Sequence, residues 1–209
     1  MTAPDAAVLH PSQIKGFLAE EEGEALARHA RAAMGANAGP LLEIGSWCGR
    51  SAAYLGREAQ AVDRLVFALD HHRGSEEHQP GEGYHDPEHF DAELGLVDTL
   101  PAFRRNIALA GLEGSVVALV GPSEAIGRAW STPLSFVFID GGHAMDTALA
   151  DWRAWSGHVA LGGLLAIHDV FPDPDDGGRP PYEIWKLAVA SKLFEPVERI
   201  NSLEILRRV

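Results

Sequence analysis

Asp140 and Asp169 each close a short apolar run, in "LSFVFID" and "LLAIHD", and a histidine accompanies each: His143 three residues after the first, His168 immediately before the second. Such runs read as buried strands, so if the two strands are neighbours the carboxylates meet at one edge of a sheet. Converging carboxylates either repel or hold a cation. Oxygen ligands without a cysteine pair make that cation hard, with Mg²⁺ the first choice and zinc the poorer fit. His143 follows Gly141-Gly142, a turn that brings its imidazole back over the strand ends, and a pKa of about 6.5 suits a general base. His168 alternates in direction with Asp169 and reads either as a metal-adjacent residue or as a polar residue inside the sheet edge. The plainer readings are a helix N-cap for Asp140 and a loop acid for Asp169. Two acids and two histidines at adjacent strand ends favour a site.

A second constellation lies in "LLEIGSWCGRSAAYLG", residues 41–56, where an apolar strand breaks at a glycine turn and restarts as a helix. A dinucleotide fingerprint, G-x-G-x-x-G, needs its second glycine where Trp47 stands, and the Lys-Ser/Thr of a phosphate loop is missing. What remains is Glu43-x-Gly45-x-x-x-Gly49, with Ser46 and Ser51 beside it. An acid and two glycines around a tight turn suit a zwitterionic amino-acid tail. Asp70, ending "RLVFALD", is placed to accept two ribose hydroxyls.

These residues resemble the class I S-adenosylmethionine-dependent methyltransferases, whose first motif is E/D-x-G-x-x-x-G and whose second-strand acid holds the ribose. The resemblance implies a doubly wound, Rossmann-like α/β fold with a mostly parallel seven-stranded sheet, helices on both faces, and S-adenosylmethionine as cofactor. By their place after the third strand, Ser123 and Glu124 in "GPSEAI" would lie near the adenine, or else begin an ordinary helix with Ser123 as its cap. Asp140 is counted among the cofactor contacts as well.

More narrowly, "IDGGH", the following "HD" and "EIGSWCGRSA" resemble the metal-dependent sugar O-methyltransferases that include the macrocin and mycinamicin enzymes. That resemblance implies Asp140 and Asp169 as Mg²⁺ ligands and His143 as the catalytic base, with His168 standing in the metal site where the group carries Glu. The length, "HHRGSE" and "HDVFPDPDDGGRPPYEIW" are similar to the mycobacterial 1-O-methyltransferases of methylmannose polysaccharide synthesis. This implies transfer to the 1-OH of a 3-O-methylated mannoside. The alternatives are a catechol-type or other small-molecule O-methyltransferase, and a non-catalytic S-adenosylmethionine-binding protein.

The elements that must position these residues are legible in outline. Apolar runs at 41, 64, 115, 134 and 161 alternate with amphipathic stretches, the rhythm of a parallel sheet covered on both faces. Two further β-like runs, "FEPVERI" and "LEILRRV", close the chain. With 209 residues, 46% of them hydrophobic, one domain is expected over 1–209, with a helical cover at 1–38. Residues 71–98 lack apolar periodicity and leave the second strand where open α/β sheets bind ligands, so they read as a lid-like insertion. Within it His72 and Tyr84 are the candidate acceptor contacts, and Phe90 is a second ring able to stack on a sugar. Trp130, Trp152 and Trp155 fall at helical spacing and read as core.

A net charge of -13 with no Lys/Arg run disfavours nucleic acid and points to a small-molecule or oligosaccharide acceptor. Cys48 is the single cysteine, so no internal disulfide forms, and no apolar stretch reaches the roughly 20 residues of a membrane span. The N-terminus lacks a basic flank followed by an apolar core, so the expected compartment is cytoplasmic. A homodimer is compatible with all of this.

Overall fold

The computed structural model describes residues 8–173 and 175–209; residues 1–7 of the expected N-terminal cover and Pro174 lie outside them. A 3₁₀ turn at Pro11–Gln13 leads into helix α1 (Glu20–Ala36), followed by strand β1 (Leu41–Ile44), α2 (Arg50–Gln60) and β2 (Val66–Asp70). The insertion carries only 3₁₀ turns at Glu76–His78 and Pro87–His89 and a small antiparallel pair, β3 (Phe90–Asp91) and β4 (Leu96–Val97). Next come α3 (Leu100–Leu109), β5 (Val116–Val120), α4 (Ser123–Ala129), β6 (Leu134–Ile139) and α5 (Met145–Trp155). The chain ends with β7 (Val159–Ile167), α6 (Pro180–Ala190), β8 (Phe194–Ile200) and β9 (Leu203–Arg208).

The main sheet has seven strands in the order β5-β2-β1-β6-β7-β9-β8, with the first five parallel and β9 running antiparallel to both of its neighbours, β7 and β8. The apolar runs of β1 and β6 are buried along their whole length because helices cover both faces. Alternate residues feed two cores. Leu41, Phe136, Phe138 and Ala166 pack under α1, α2 and α3, whereas Leu42, Val137, Leu165 and Ile167 pack under α5 and α6. Burying each such Leu or Phe contributes about 1.5–3 kcal/mol. Trp155 is among the largest fully buried side chains, as its helical spacing suggests.

From β1 the chain winds outward to β2 and β5, then returns to lay β6 and β7 on the other side, so strand order reverses at β1. A crevice opens where strands diverge in this way, outside their C-terminal ends. The parallel register pairs Ile44 with both Leu69 and Ile139, and Ile139 with Ile167. The next residues, Gly45, Asp70, Asp140 and His168, therefore emerge level with one another around that crevice.

Helix α1 sits close to α2 because Gly23 has no side chain: a Cβ there would lie 2.4 Å from Cε2 of the Tyr54 ring. Gly35 near the end of the same helix faces open space. The two glycines should respond oppositely to alanine. Gly23→Ala forces overpacking worth about 1–3 kcal/mol and should lower Tm by several degrees. Gly35→Ala, gaining up to about 1 kcal/mol of helix propensity, should leave Tm unchanged or slightly raised; thermal unfolding followed by circular dichroism reads both.

Candidate functional site

A cleft of about 640 Å³ occupies the crevice, within the usual size range of small-molecule sites. Its first wall is the turn after β1. Gly45 (φ 89°) and Gly49 (φ 91°) adopt left-handed conformations. At Gly45 glycine is also a steric requirement, since a Cβ would come within 2.0 Å of the Asp140 carbonyl oxygen. Trp47 takes φ 46°, an uncommon conformation for a bulky residue. Asp70 holds it there: Oδ2 accepts the backbone N–H of Ser46 (3.0 Å) and of Trp47 (2.8 Å), while Oδ1 accepts that of His72 (2.7 Å). Asp70 thus fastens the end of β2 to the turn after β1 and still lines the cleft.

Under the turn, Glu43 is fully buried, with the Ser46 and Ser51 hydroxyls beside its carboxyl but in no well-aligned hydrogen bond to it. Burial pushes its carboxyl up to about 8. Ser46 is buried beside it, its hydroxyl also unpartnered. Ser46, Ser51, Ser123, Glu124 and Asp140 all line the cleft, whereas Gly49 faces Phe103 behind the turn.

The opposite wall joins the acids and histidines. His168 is buried with both ring nitrogens engaged: Nδ1 lies 2.9 Å from Oδ1 of Asp140, and Nε2 lies 3.0 Å from Oε2 of Glu22. Burial opposes a charge on this ring, but the charge and hydrogen bond of Asp140, with the hydrogen bonds of Asp169 and Glu22, outweigh it and raise the pKa of the imidazole. Burial would likewise raise the Glu22 carboxyl, and the bond and charge of His168 instead bring it below its ordinary value. Glu22 also accepts the backbone N–H (3.0 Å) and hydroxyl (2.9 Å) of Ser202 and the backbone N–H of Ala19 (3.1 Å). Asp169, in a left-handed conformation (φ 55°), places Oδ2 3.1 Å from Nε2 of His143. Nδ1 of His143 faces Oε1 of Glu77 at 3.4 Å. The hydrogen bond to Asp169 raises the His143 pKa, against the opposing effect of burial.

The insertion closes over this wall. Ser75, Glu77, His78 and Tyr84 line the cleft, and His78 stacks on Trp47 with ring centroids 4.3 Å apart. Lys15 bridges to Asp86 and Glu88, and the Cys48 thiol lies 3.2 Å from Nε2 of His89, so the insertion is fastened to both the N-terminal segment and the glycine turn.

Residues 42–170 match the family model described as methyltransferase domain, more than half of the chain. The chain belongs to this methyltransferase family. Solved structures with the same fold include the O-methyltransferase NovP (TM-score 0.70, 19% identity, 90% of this chain and 80% of that one). Another is the O-methyltransferase TomG from Streptomyces achromogenes in complex with SAM (TM-score 0.63, 16% identity, 92% and 82%). A third is the O-methyltransferase from Bacillus cereus in complex with SAH (TM-score 0.63, 16% identity, 94% and 86%).

In this methyltransferase the expected sites are largely gathered into one cleft, with Glu43 beneath its turn, Gly49 behind it, and one correction. His72 does not reach it. Its backbone N–H is taken by Asp70, φ 57° turns the chain, and the imidazole is buried against Phe103 with Nδ1 2.8 Å from the Thr99 hydroxyl. The neighbouring His71 lines the cleft instead, as does Tyr84, while Phe90 turns toward His85. Both ring nitrogens of His168 are engaged by carboxylates, so it would ligate a metal only by giving up one of these contacts.

The donor atoms of Asp140, His168 and Asp169 lie within 4.8 Å of one another. Without His168 the set still fits Mg²⁺, which commonly takes one or two carboxylates and completes its shell with water and substrate oxygens.

Three residues of the site carry no sequence signal of their own. Glu22 sits in "EEEGE" like any surface acid of a first helical turn, Glu77 lies in the aperiodic insertion, and Asp151 reads as one polar position of an amphipathic helix. Removing His168 should expose how much the wall depends on it. His168→Ala leaves two carboxylates facing each other and should cost about 3–5 kcal/mol in urea unfolding. Adding Glu22→Gln should recover part of that loss, giving a clearly non-additive double-mutant cycle.

Proposed function

We propose that this methyltransferase moves the methyl group of S-adenosylmethionine to a sugar hydroxyl, the 1-OH of a 3-O-methylated mannoside being the specific acceptor suggested by the sequence resemblance. The observation that carries the O-transfer reading is the braced imidazole of His143, held by Asp169 in the cleft that the glycine turn and Asp70 also border. A sugar hydroxyl is a very weak acid, so its attack at neutral pH requires a base and stabilisation of the developing negative charge.

S-adenosylmethionine, once bound, supplies an activated methyl that an oxygen nucleophile takes in line, leaving a neutral thioether. Glu43, Gly45, Ser46, Ser51 and Asp70 are assigned to its amino-acid and ribose parts, with Gly49 shaping the turn from behind and Ser123 and Glu124 at the adenine end. The Ser46 hydroxyl and the open side of Asp70, both on the cleft, suit a ligand that donates hydrogen bonds. Mg²⁺ held by Asp140 and Asp169 would supply Lewis-acid stabilisation of the alkoxide. Asp169 holds Nε2 of His143 and Glu77 faces Nδ1, so the acceptor hydroxyl would displace the longer Glu77 contact to hand its proton to Nδ1, and the acids around the ring stabilise the imidazolium so formed. His168 keeps Asp140 aimed at the cleft, and Trp47, His78, Phe17 and Tyr84 offer ring faces against which a pyranose can stack. The same aromatic wall favours a second reading, a catechol-type acceptor.

The test is methyl transfer from S-adenosylmethionine to a panel of mannosides, other glycosides and catechols, with and without EDTA. Transfer to mannosides, lost with EDTA and restored by Mg²⁺, is the expected result; transfer to catechols alone selects the second reading. His143→Ala should lower turnover by about 10²- to 10⁴-fold and leave S-adenosylhomocysteine affinity nearly intact. Wild-type turnover in that variant removes His143 as the base.

A further inference from the structure

Asp151 is a buried acid that the mechanism above does not use. It projects from α5, is only 3% exposed, and lines the cleft together with Ser123, Glu124 and His71. Among the described residues no Lys or Arg pairs with it. Burial pushes its pKa up to about 6, with the neighbouring Ser123 hydroxyl, its one protein donor, opposing the shift in part. That hydroxyl is committed in direction: Ser123 Oγ already accepts Trp155 Nε1–H at 2.8 Å, so its proton is free to go to Asp151. Space for the carboxylate comes from Gly141, where a Cβ would lie 2.8 Å from Asp151 Oδ2. A carboxylate buried with one neutral donor is costly unless something else donates to it. The open side of this one faces the ligand cleft.

We propose that Asp151 reads the nucleobase of the cofactor by accepting a hydrogen bond from the 6-amino group of adenine. This rests on the proposed S-adenosylmethionine site and adds to it a residue that sets base specificity. Adenine offers an N–H donor at position 6; hypoxanthine offers an oxygen, which would turn its lone pairs toward those of the carboxylate. Ser123 and Trp155 set the direction of the acid, and Gly141 lets it reach the cleft.

The experiment is calorimetric binding of S-adenosylhomocysteine and S-inosylhomocysteine to the wild-type protein and to Asp151→Asn and Asp151→Ser, with thermal unfolding to check that each variant folds. Wild type should favour the adenine ligand by about 10- to 100-fold, the worth of one charge-assisted hydrogen bond. In Asp151→Asn, whose carboxamide can either donate or accept, the preference should shrink to about threefold or less. A merely structural Asp151 would weaken both ligands alike and leave their ratio unchanged, and that outcome overturns the proposal. So does a wild-type protein that binds both equally, a measurement that needs no variant. If wild type binds neither, the cofactor reading itself fails and takes this inference with it; binding of S-adenosylhomocysteine without discrimination overturns only the role of Asp151.

Discussion

A buried histidine clamped between two carboxylates organises the catalytic end of this methyltransferase. His168, at the end of β7, joins Asp140 after β6 to Glu22 in the first turn of α1, and Glu22 in turn holds the β8–β9 connection through Ser202. One imidazole ring thus ties the parallel part of the sheet, the covering helix and the antiparallel edge together at a single point. A pair of this kind need not add stability over a well-packed apolar replacement, but breaking it strands a buried charge. Its geometric effect is to fix where Asp140 points, and through Asp169 it reaches His143 as well.

The glycine turn depends on an equivalent device with opposite roles. There a carboxylate, Asp70, gathers three backbone amides and so holds Trp47 in a conformation its side chain disfavours. Gly45 is needed because β1 and β6 emerge level and the Asp140 carbonyl occupies the space a side chain would take. The two devices meet across the crevice where strand order reverses. This is why an acid from the second strand and acids from two later strands border the same cleft although they lie 70 to 99 residues apart in the chain.

The insertion shows how a segment without apolar periodicity can still be held in place. Its hairpin is two residues per strand and buries little, so its position rests on side chains: His78 on Trp47, Asp86 on Lys15, His89 against Cys48. Each of these partners sits in the turn or in the segment before α1. The face of the cleft that would meet an acceptor is therefore assembled from three separate stretches of chain.

What the sequence determined by itself was whatever is encoded locally. Continuous apolar runs separated by amphipathic stretches specify a covered parallel sheet, and Glu43-x-Gly45-x-x-x-Gly49 specifies a strand ending in a ligand-sized turn. Aspartates at the ends of β2, β6 and β7 are legible because a charge at the end of a buried strand has nowhere to go but the sheet edge. The direction of side chains off regular elements was not legible. His72 reads from the sequence as an acceptor contact and is buried on Thr99, because its own left-handed backbone reverses the face it presents. Whether His168 would ligate or donate depended on Glu22, 146 positions away and indistinguishable in sequence from the surface acids beside it. The partners of a buried charge come from wherever the chain folds back, and only the tertiary structure brought this acid and this imidazole together.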